Sequence, residues 1–253
     1  VLVLEAPKLR LRSDGKNPLL VRGIGLGEKK FRGISVREQH GQMQLVVEGR
    51  SRREVSLGQG AVLLIRSFDP RGIWLGKRRY RGELRVSAGL EGLQVINHLG
   101  LGKYLASVVG SEMPKSWPMA ALQAQAVAAR TYALKQQGKP GEYDIKSTET
   151  SQVYLGVESE TVSTRKAVKS TRSLVLVHAG RLINAVFHSS SGGLTEASGD
   201  VWKYQFPYLV SVPDHDQHSP VRNWELRFEP EQLRTAFGEI GGIRNIKVLR
   251  TSD

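Results

Sequence analysis

The chain has 253 residues, 40% of them hydrophobic and 24% charged, and no cysteine. This is the composition of an ordinary globular protein of one large or two smaller domains, and it excludes disulfides, thiol catalysis and cysteine-ligated zinc. The formal net charge of +13 is uneven: residues 1–90 carry 19 Lys or Arg against 8 Asp or Glu, and residues 91–253 carry 18 against 16, so a field attractive to a polyanion belongs to the first third.

No apolar run approaches the roughly 18 residues that span a membrane. The first residue is Val1, with no basic-then-apolar leader, and the expectation is a processed or excised chain whose export signal is already gone. Residues 1–30 hold short apolar runs broken by Gly15, Gly23, Gly25 and Gly27. The GIGLG at 23–27 lacks the helix and lysine pattern of a phosphate-cradling loop and reads as a turn. Residues 42–48, 54–57 and 61–68 are strand-like, and Asp69-Pro70-Arg71-Gly72 reads as a turn. Residues 1–76 are therefore expected to form a small β-rich basic module, its charge either a polyanion-binding face or a solvated one. Four of the five residues at 77–81 are basic and flank Tyr80. Such a cluster can grip a nucleic-acid strand, but Tyr80, Leu84 and Val86 alternate as in a half-buried strand. A second strand at 93–96 follows the turn at 89–92.

Residues 99–134 read as two helices meeting at a corner. Leu101, Leu105 and Val108 recur at i, i+4 and i+7, and Glu112 falls on the same apolar stripe. Pro114 disfavours helix at Met113, and Trp117-Pro118 restarts one. The second helix is alanine-rich, so another backbone can approach it, with Gln123, Gln125, Arg130 and Tyr132 as polar interruptions. The structural reading of Glu112 is a helix-end carboxylate that turns to solvent or pairs with Arg130.

Gly138, Pro140 and Gly141 end that helix. Residues 142–157 are polar and aperiodic, and Tyr143 and Tyr154 favour an ordered loop lining a site. Residues 159–172 look like an exposed helix, and 174–177 and 182–187 form a hairpin across Ala179-Gly180. Residues 188–202, HSSSGGLTEASGDVW, are a second polar loop at a strand end. His188 and Ser189 are adjacent, but strand neighbours face opposite ways and no nucleophile elbow surrounds them. In DHDQH at 214–218, two histidines without a third ligand at helical spacing read as a surface loop. A helix runs from near Pro230 to before Gly238, and 246–249 begins a strand.

From about Tyr80 onward the chain resembles the stage II sporulation protein D family, which includes sporulation lytic transglycosylases and amidase enhancers. The resemblance rests on YRGELRV (80–86), INHLGLGKYLASVVGSEMP (96–114), ALQAQAVAARTYAL (121–134), SQVYLG (151–156), FHSSSGGLTEASGDVW (187–202) and PYLVSV (207–212). It implies an α+β fold, a helical catalytic core packed with antiparallel strands, over residues 77–253, with the β-rich module at 1–76. Family members usually continue past the equivalent of Asp253, which points to a trimmed chain.

By motif position the resemblance implies Glu112, in Ser-Glu-Met-Pro, as the catalytic acid and base. The substrate class it implies is the peptidoglycan glycan strand, cut between N-acetylmuramic acid and N-acetylglucosamine to leave a 1,6-anhydro end. One glutamate serves twice there, because the substrate's own 6-hydroxyl attacks, and no second carboxylate is required; ordinary glycosidases use two. Burial against apolar neighbours is what keeps such an acid neutral. Gln152, Tyr154, Ser189, Gly192, Gly193, Arg130 and Tyr132 are the expected sugar contacts, each weighed against a purely structural role. Some members hold zinc through cysteines and a histidine before the Gln-Val-Tyr motif; this chain has no cysteine, so no metal or other cofactor is expected. The expected partners are glycan strands, a cell-wall amidase, and an anionic wall polymer or membrane surface for the basic module, with no specific nucleic acid. The expected location is exported, in the periplasm or wall. A non-catalytic wall binder or amidase activator on the same fold is the alternative.

Overall fold

The computed structural model describes residues 1–48, 53–238 and 245–247, and the chain divides into two compact units, Val1–Ala185 and Val186–Asp253. The described residues are α+β.

The first unit opens with twelve strands: β1 (Leu2–Ala6), β2 (Lys8–Ser13), β3 (Leu19–Gly23), β4 (Gly25–Phe31), β5 (Gly33–Gln39), β6 (Gln42–Val47), β7 (Arg53–Leu57), β8 (Val62–Arg66), β9 (Ile73–Leu75), β10 (Arg78–Tyr80), β11 (Glu83–Gly89) and β12 (Gly92–His98). They make two antiparallel six-stranded sheets, in the orders β1-β12-β11-β8-β3-β4 and β10-β9-β2-β5-β6-β7. Alternate residues such as Leu9 and Leu11, Ile34 and Val36, Met43 and Leu45, Leu63 and Ile65, and Leu84 and Val86 form the core, the period-2 pattern of a sheet with one buried face.

The boundary expected at residues 76/77 does not separate these strands. β9 and β10 form a hairpin across it, and β1, β3 and β8 share a sheet with β11 and β12. Nor do Tyr80, Leu84 and Val86 lie on one strand: Tyr80 ends β10 in one sheet, while Leu84 and Val86 belong to β11 in the other. Gly82 makes the switch, with φ +88° and a position where a Cβ would meet the His98 carbonyl oxygen at 2.2 Å. The GIGLG segment is the β3–β4 hairpin connection, with Gly23, Gly25 and Gly27 all at positive φ.

Several of the arginines of this region are paired at the surface. Arg10 meets Glu48 at 2.7 Å, Arg66 meets Glu28 at 2.9 Å, and Arg79 bridges Asp14 at 2.9 Å and Glu158 at 2.7 Å. Exposed pairs contribute little stability, and because they match acidic residues already counted, most of the net positive charge remains unpaired. A cavity of about 1040 Å³ opens among β1, β2, β5, β6, β9 and β10; Glu112 is not among its lining residues.

Three helices follow: α1 (Leu101–Glu112), α2 (Met119–Gln136) and α3 (Val162–Ser170), the last preceded by a 3-10 turn, Gly156–Ser159. α1 buries Tyr104, Leu105, Val108 and Val109, and α2 buries Leu122, Ala126, Ala129 and Ala133. The expected exposed helix at 159–172 is α3. It is amphipathic rather than exposed all round, because Thr164, Ala167 and Val168 are buried where it packs on α1 and α2. Gly110 lies where α1 touches the 3-10 turn, and a Cβ on it would meet the Ser159 carbonyl oxygen at 2.0 Å. The hydroxyls of Ser107 and Ser159 meet there at 2.8 Å, both buried. A hairpin of β13 (Val177–His178) and β14 (Arg181–Leu182) turns through Ala179 and Gly180, both at positive φ. It is shorter than the expected pair of strands at 174–177 and 182–187.

The second unit contains α4 (Ser198–Val201) and α5 (Pro230–Ala236), the latter matching the expected helix. Among its described residues Ser198 alone is buried, and Trp202, Tyr204, Trp224 and Phe228 are exposed. The strand expected at 246–249 lies partly outside the described residues; Ile246 and Lys247 are irregular.

Candidate active site

Glu112 is the last residue of α1. Met113 is extended, at φ −130° and ψ 146°, as the following Pro114 requires. The Glu112 side chain is half-buried, and the backbone N–H of Val153 donates to its Oε1 at 2.7 Å. Burial pushes the carboxyl above its ordinary range, the Val153 N–H pulls it partly back, and the negative charge of Glu149 adds to the rise. The result is a carboxylic acid biased toward its neutral form while still reachable from solvent, which is what proton donation to a poor leaving group needs.

Arg130 does not pair with Glu112. Only 5% exposed, its guanidinium donates to the Val168 and Leu174 carbonyls at 3.1 and 3.0 Å and to Thr171 Oγ1 at 3.3 Å. It thus holds the C-terminal end of α3 against α2. Tyr132 is half-buried on α2, and Tyr104, whose hydroxyl burial pushes upward, has Tyr132 and Glu112 as titratable neighbours.

Gln152 and Tyr154 are 0% and 2% exposed. Gln152 accepts from the Tyr104 hydroxyl at 2.9 Å, and the Tyr154 hydroxyl donates to Asn97 Oδ1 at 2.7 Å. The Tyr154 ring packs between Tyr80 and Tyr104, with centroids at 5.8 and 5.3 Å. The polar atoms of Arg130, Gln152 and Tyr154 are thus engaged by the protein itself: Gln152 and Tyr154 flank the residue whose N–H meets Glu112, and Arg130 ties α3 to α2.

Ser189, Gly192 and Gly193 belong to the second unit. Ser189 and Gly192 are exposed, and both glycines have positive φ, +81° and +122°. Their loop closes on Asp216, whose Oδ2 accepts from the N–H groups of Ser191 and Gly192 at 3.0 and 2.8 Å and from the Ser190 hydroxyl. Arg222 completes the pairing. Asp214 accepts from the Ser191 hydroxyl at 2.8 Å. The DHDQH segment therefore supplies loop-closing carboxylates. No group of three His, Cys, Asp or Glu able to hold a metal occurs among the described residues, and residues 146–150, Lys-Ser-Thr-Glu-Thr, are not the donor set of a zinc site.

Glu149, Asn97 and the Val153 N–H were not singled out by sequence reasoning. Glu149 is one carboxylate in a polar loop, and the Val153 contact is made by backbone, so neither leaves a pattern in the residue string.

The fold and site define an α+β protein whose helix corner presents one half-buried glutamate. Residues 90–178 match the family model described as stage II sporulation protein. The chain is 42% identical over 131 residues to the amidase enhancer of Bacillus subtilis (strain 168), covering 52% of this chain and 18% of that protein. It is 31% identical over 163 residues to stage II sporulation protein D of the same organism, covering 57% and 48%. An uncharacterized protein of Brachyspira hyodysenteriae is 35% identical over 157 residues, covering 60% and 42%. The similarity to the stage II sporulation protein family model lies in residues 90–178, and the chain spans less than half the length of these curated relatives.

Proposed function

We propose that the protein acts on the bacterial cell wall as a peptidoglycan lytic transglycosylase, with Glu112 as its single acid and base. The observation that carries this reading is the half-buried Glu112 carboxyl, raised by burial and held at one oxygen by the Val153 N–H. As the bond between the anomeric carbon and the leaving oxygen breaks, neutral Glu112 gives its proton to that oxygen. The 6-hydroxyl of the same sugar then bonds to the anomeric carbon and its proton passes to Glu112, which ends as it began. No water is consumed and a 1,6-anhydro end results. Tyr132 is the sugar contact proposed beside Glu112; Ser189, Gly192 and Gly193 are proposed glycan contacts of the second unit. Exposed lysines of the β-sheet region, such as Lys29, Lys30 and Lys77, offer an anionic wall polymer an attraction that salt weakens. The location that follows is outside the cytoplasmic membrane.

A second reading, favoured by the 42% identity to an amidase enhancer, is a wall-binding activator of a cell-wall amidase that performs no cleavage. Digestion of purified glycan strands, with and without peptide stems, followed by mass analysis of the fragments separates the two. Anhydro ends are expected. Reducing ends would make the protein a hydrolase, and intact strands together with a stimulated amidase would establish the activator.

A further inference from the structure

Glu112 owes its hydrogen bond to a backbone group, and that backbone is held by two buried side chains on either side of it. Gln152 Oε1 accepts from the Tyr104 hydroxyl of α1 at 2.9 Å, and its Nε2 donates to the Ala129 carbonyl of α2 at 3.4 Å. Tyr154 donates to Asn97 Oδ1 at 2.7 Å. Asn97 cannot turn its amide over, because its Nδ2 already donates to the Arg81 and Glu83 carbonyls at 2.9 and 3.1 Å. The loop is also closed on itself, by the Tyr154 N–H to the Ser147 carbonyl at 3.2 Å and the Ser151 N–H to the Thr148 carbonyl at 3.0 Å. With residues 152 and 154 fixed to α1, α2 and β12, the peptide between them has one orientation, and its N–H points at Glu112 Oε1.

We propose that Gln152 and Tyr154 are positioning residues that present the Val153 N–H to Glu112 and thereby decide which carboxyl oxygen carries the transferable proton. Oε1, which accepts the N–H bond, is the carbonyl-like oxygen of the neutral acid; Oε2 then bears the hydrogen. The carboxyl is thus oriented before substrate arrives, and reorganisation during proton transfer is avoided. The titratable groups facing Glu112 are Tyr104 of α1 and Glu149 of the loop. Neither supplies a hydrogen bond that would replace the Val153 N–H. The inference rests on the proposed acid–base role of Glu112.

The test is a carbon-detected NMR titration of the Glu112 carboxyl, assigned by its loss in Glu112→Gln, in the wild type and in Tyr154→Phe, with kcat and KM on glycan strands measured alongside. The N–H bond lowers the pKa, so weakening it moves the Glu112 midpoint upward. The base-side limb of the kcat profile moves the same way, and kcat falls about tenfold while KM stays within about twofold. Gln152→Ala shifts the midpoint in the same direction. Where that variant does not fold, Tyr154→Phe, which deletes a single hydroxyl, decides alone. An unchanged midpoint in folded Tyr154→Phe overturns the proposal. The titration reads Glu112 without turnover, so this failure is distinct from that of the transglycosylase reading, in which the wild type itself cuts no strand.

Discussion

The polar loop at residues 142–157 is tied down by side chains that point into a core, whereas the one at 188–202 is tied down by a carboxylate at its own surface. Gln152 and Tyr154 are buried and bonded to α1, α2 and β12. The loop at 188–202 is held by Asp216 and Asp214, in a unit whose described residues bury no apolar side chain. Buried neutral groups hold a loop across the range in which carboxylates titrate and are little affected by salt, because burial pushes the Tyr104 and Tyr154 hydroxyls upward, away from that range. A carboxylate clasp holds only while it is ionised. Two polar segments thus differ in what holds them, and the one held by buried groups carries the contact to Glu112.

Five variants break or sharpen this contrast. The largest effect is expected at the acid: Glu112→Gln lowers glycan cleavage by about 10²- to 10⁴-fold while glycan binding persists. Its Tm at pH 8 equals or exceeds that of the wild type. The folded pKa of Glu112 is raised, so its contribution to stability is present in acid and is lost as pH rises through that pKa; a neutral glutamine does not incur the loss. An unaltered cleavage rate would place the acid elsewhere.

Gly110→Ala comes next. Its Cβ would meet backbone at 2.0 Å, and overpacking of this kind costs about 1–3 kcal/mol, read as a lower denaturation midpoint. Gly192→Ala is the matching change in the second loop. There nothing lies within 4 Å and only the positive φ opposes it, for about 1–2 kcal/mol, the cost of a Cβ in the left-handed region. A Gly110→Ala variant as stable as the wild type would mean that the first region is not packed as described. Asn97→Ala removes the acceptor of Tyr154 and the donor to two carbonyls, with an expected loss of about 1–3 kcal/mol.

The smallest global effect is expected from Asp216→Asn. Hydrogen bonding by Ser190, followed by the Gly192 N–H, Arg222 and the Ser191 N–H, holds Asp216 below the usual carboxylate range. Its contribution is present above the unfolded carboxylate pKa and is lost as pH falls through the folded one. Amide exchange at Ser191 and Gly192 therefore accelerates in acid, and does so at neutral pH in the variant, while exchange at Tyr154 is unchanged. Equal acceleration in both loops would erase the contrast.

The two helices of the corner are legible in the residue string, because a 3.6-residue apolar stripe and two prolines mark their bodies and ends. The strands of the first 31 residues are not: β1 and β2 are short, and β3 and β4 meet through glycines that read only as a turn. The strand that ends at Tyr80 and resumes as β11 in another sheet is concealed by continuous alternation; only the φ of Gly82 reveals the break. Arg130 resembles a surface residue on an alanine-rich helix, yet its partners are carbonyls 38 and 44 residues away. Glu112 was legible as a buried-face carboxylate, but the N–H that orients it belongs to no side chain and leaves no trace in composition or spacing.

The account stands on burial raising the Glu112 carboxyl above its ordinary range, toward the neutral acid. Titration of its carboxyl by carbon-detected NMR in the wild-type chain tests this most directly. A midpoint above that of an exposed glutamate, near 4.3, agrees with burial outweighing the Val153 hydrogen bond. A midpoint at or below that value would mean that the site does not favour the protonated Glu112 the account requires.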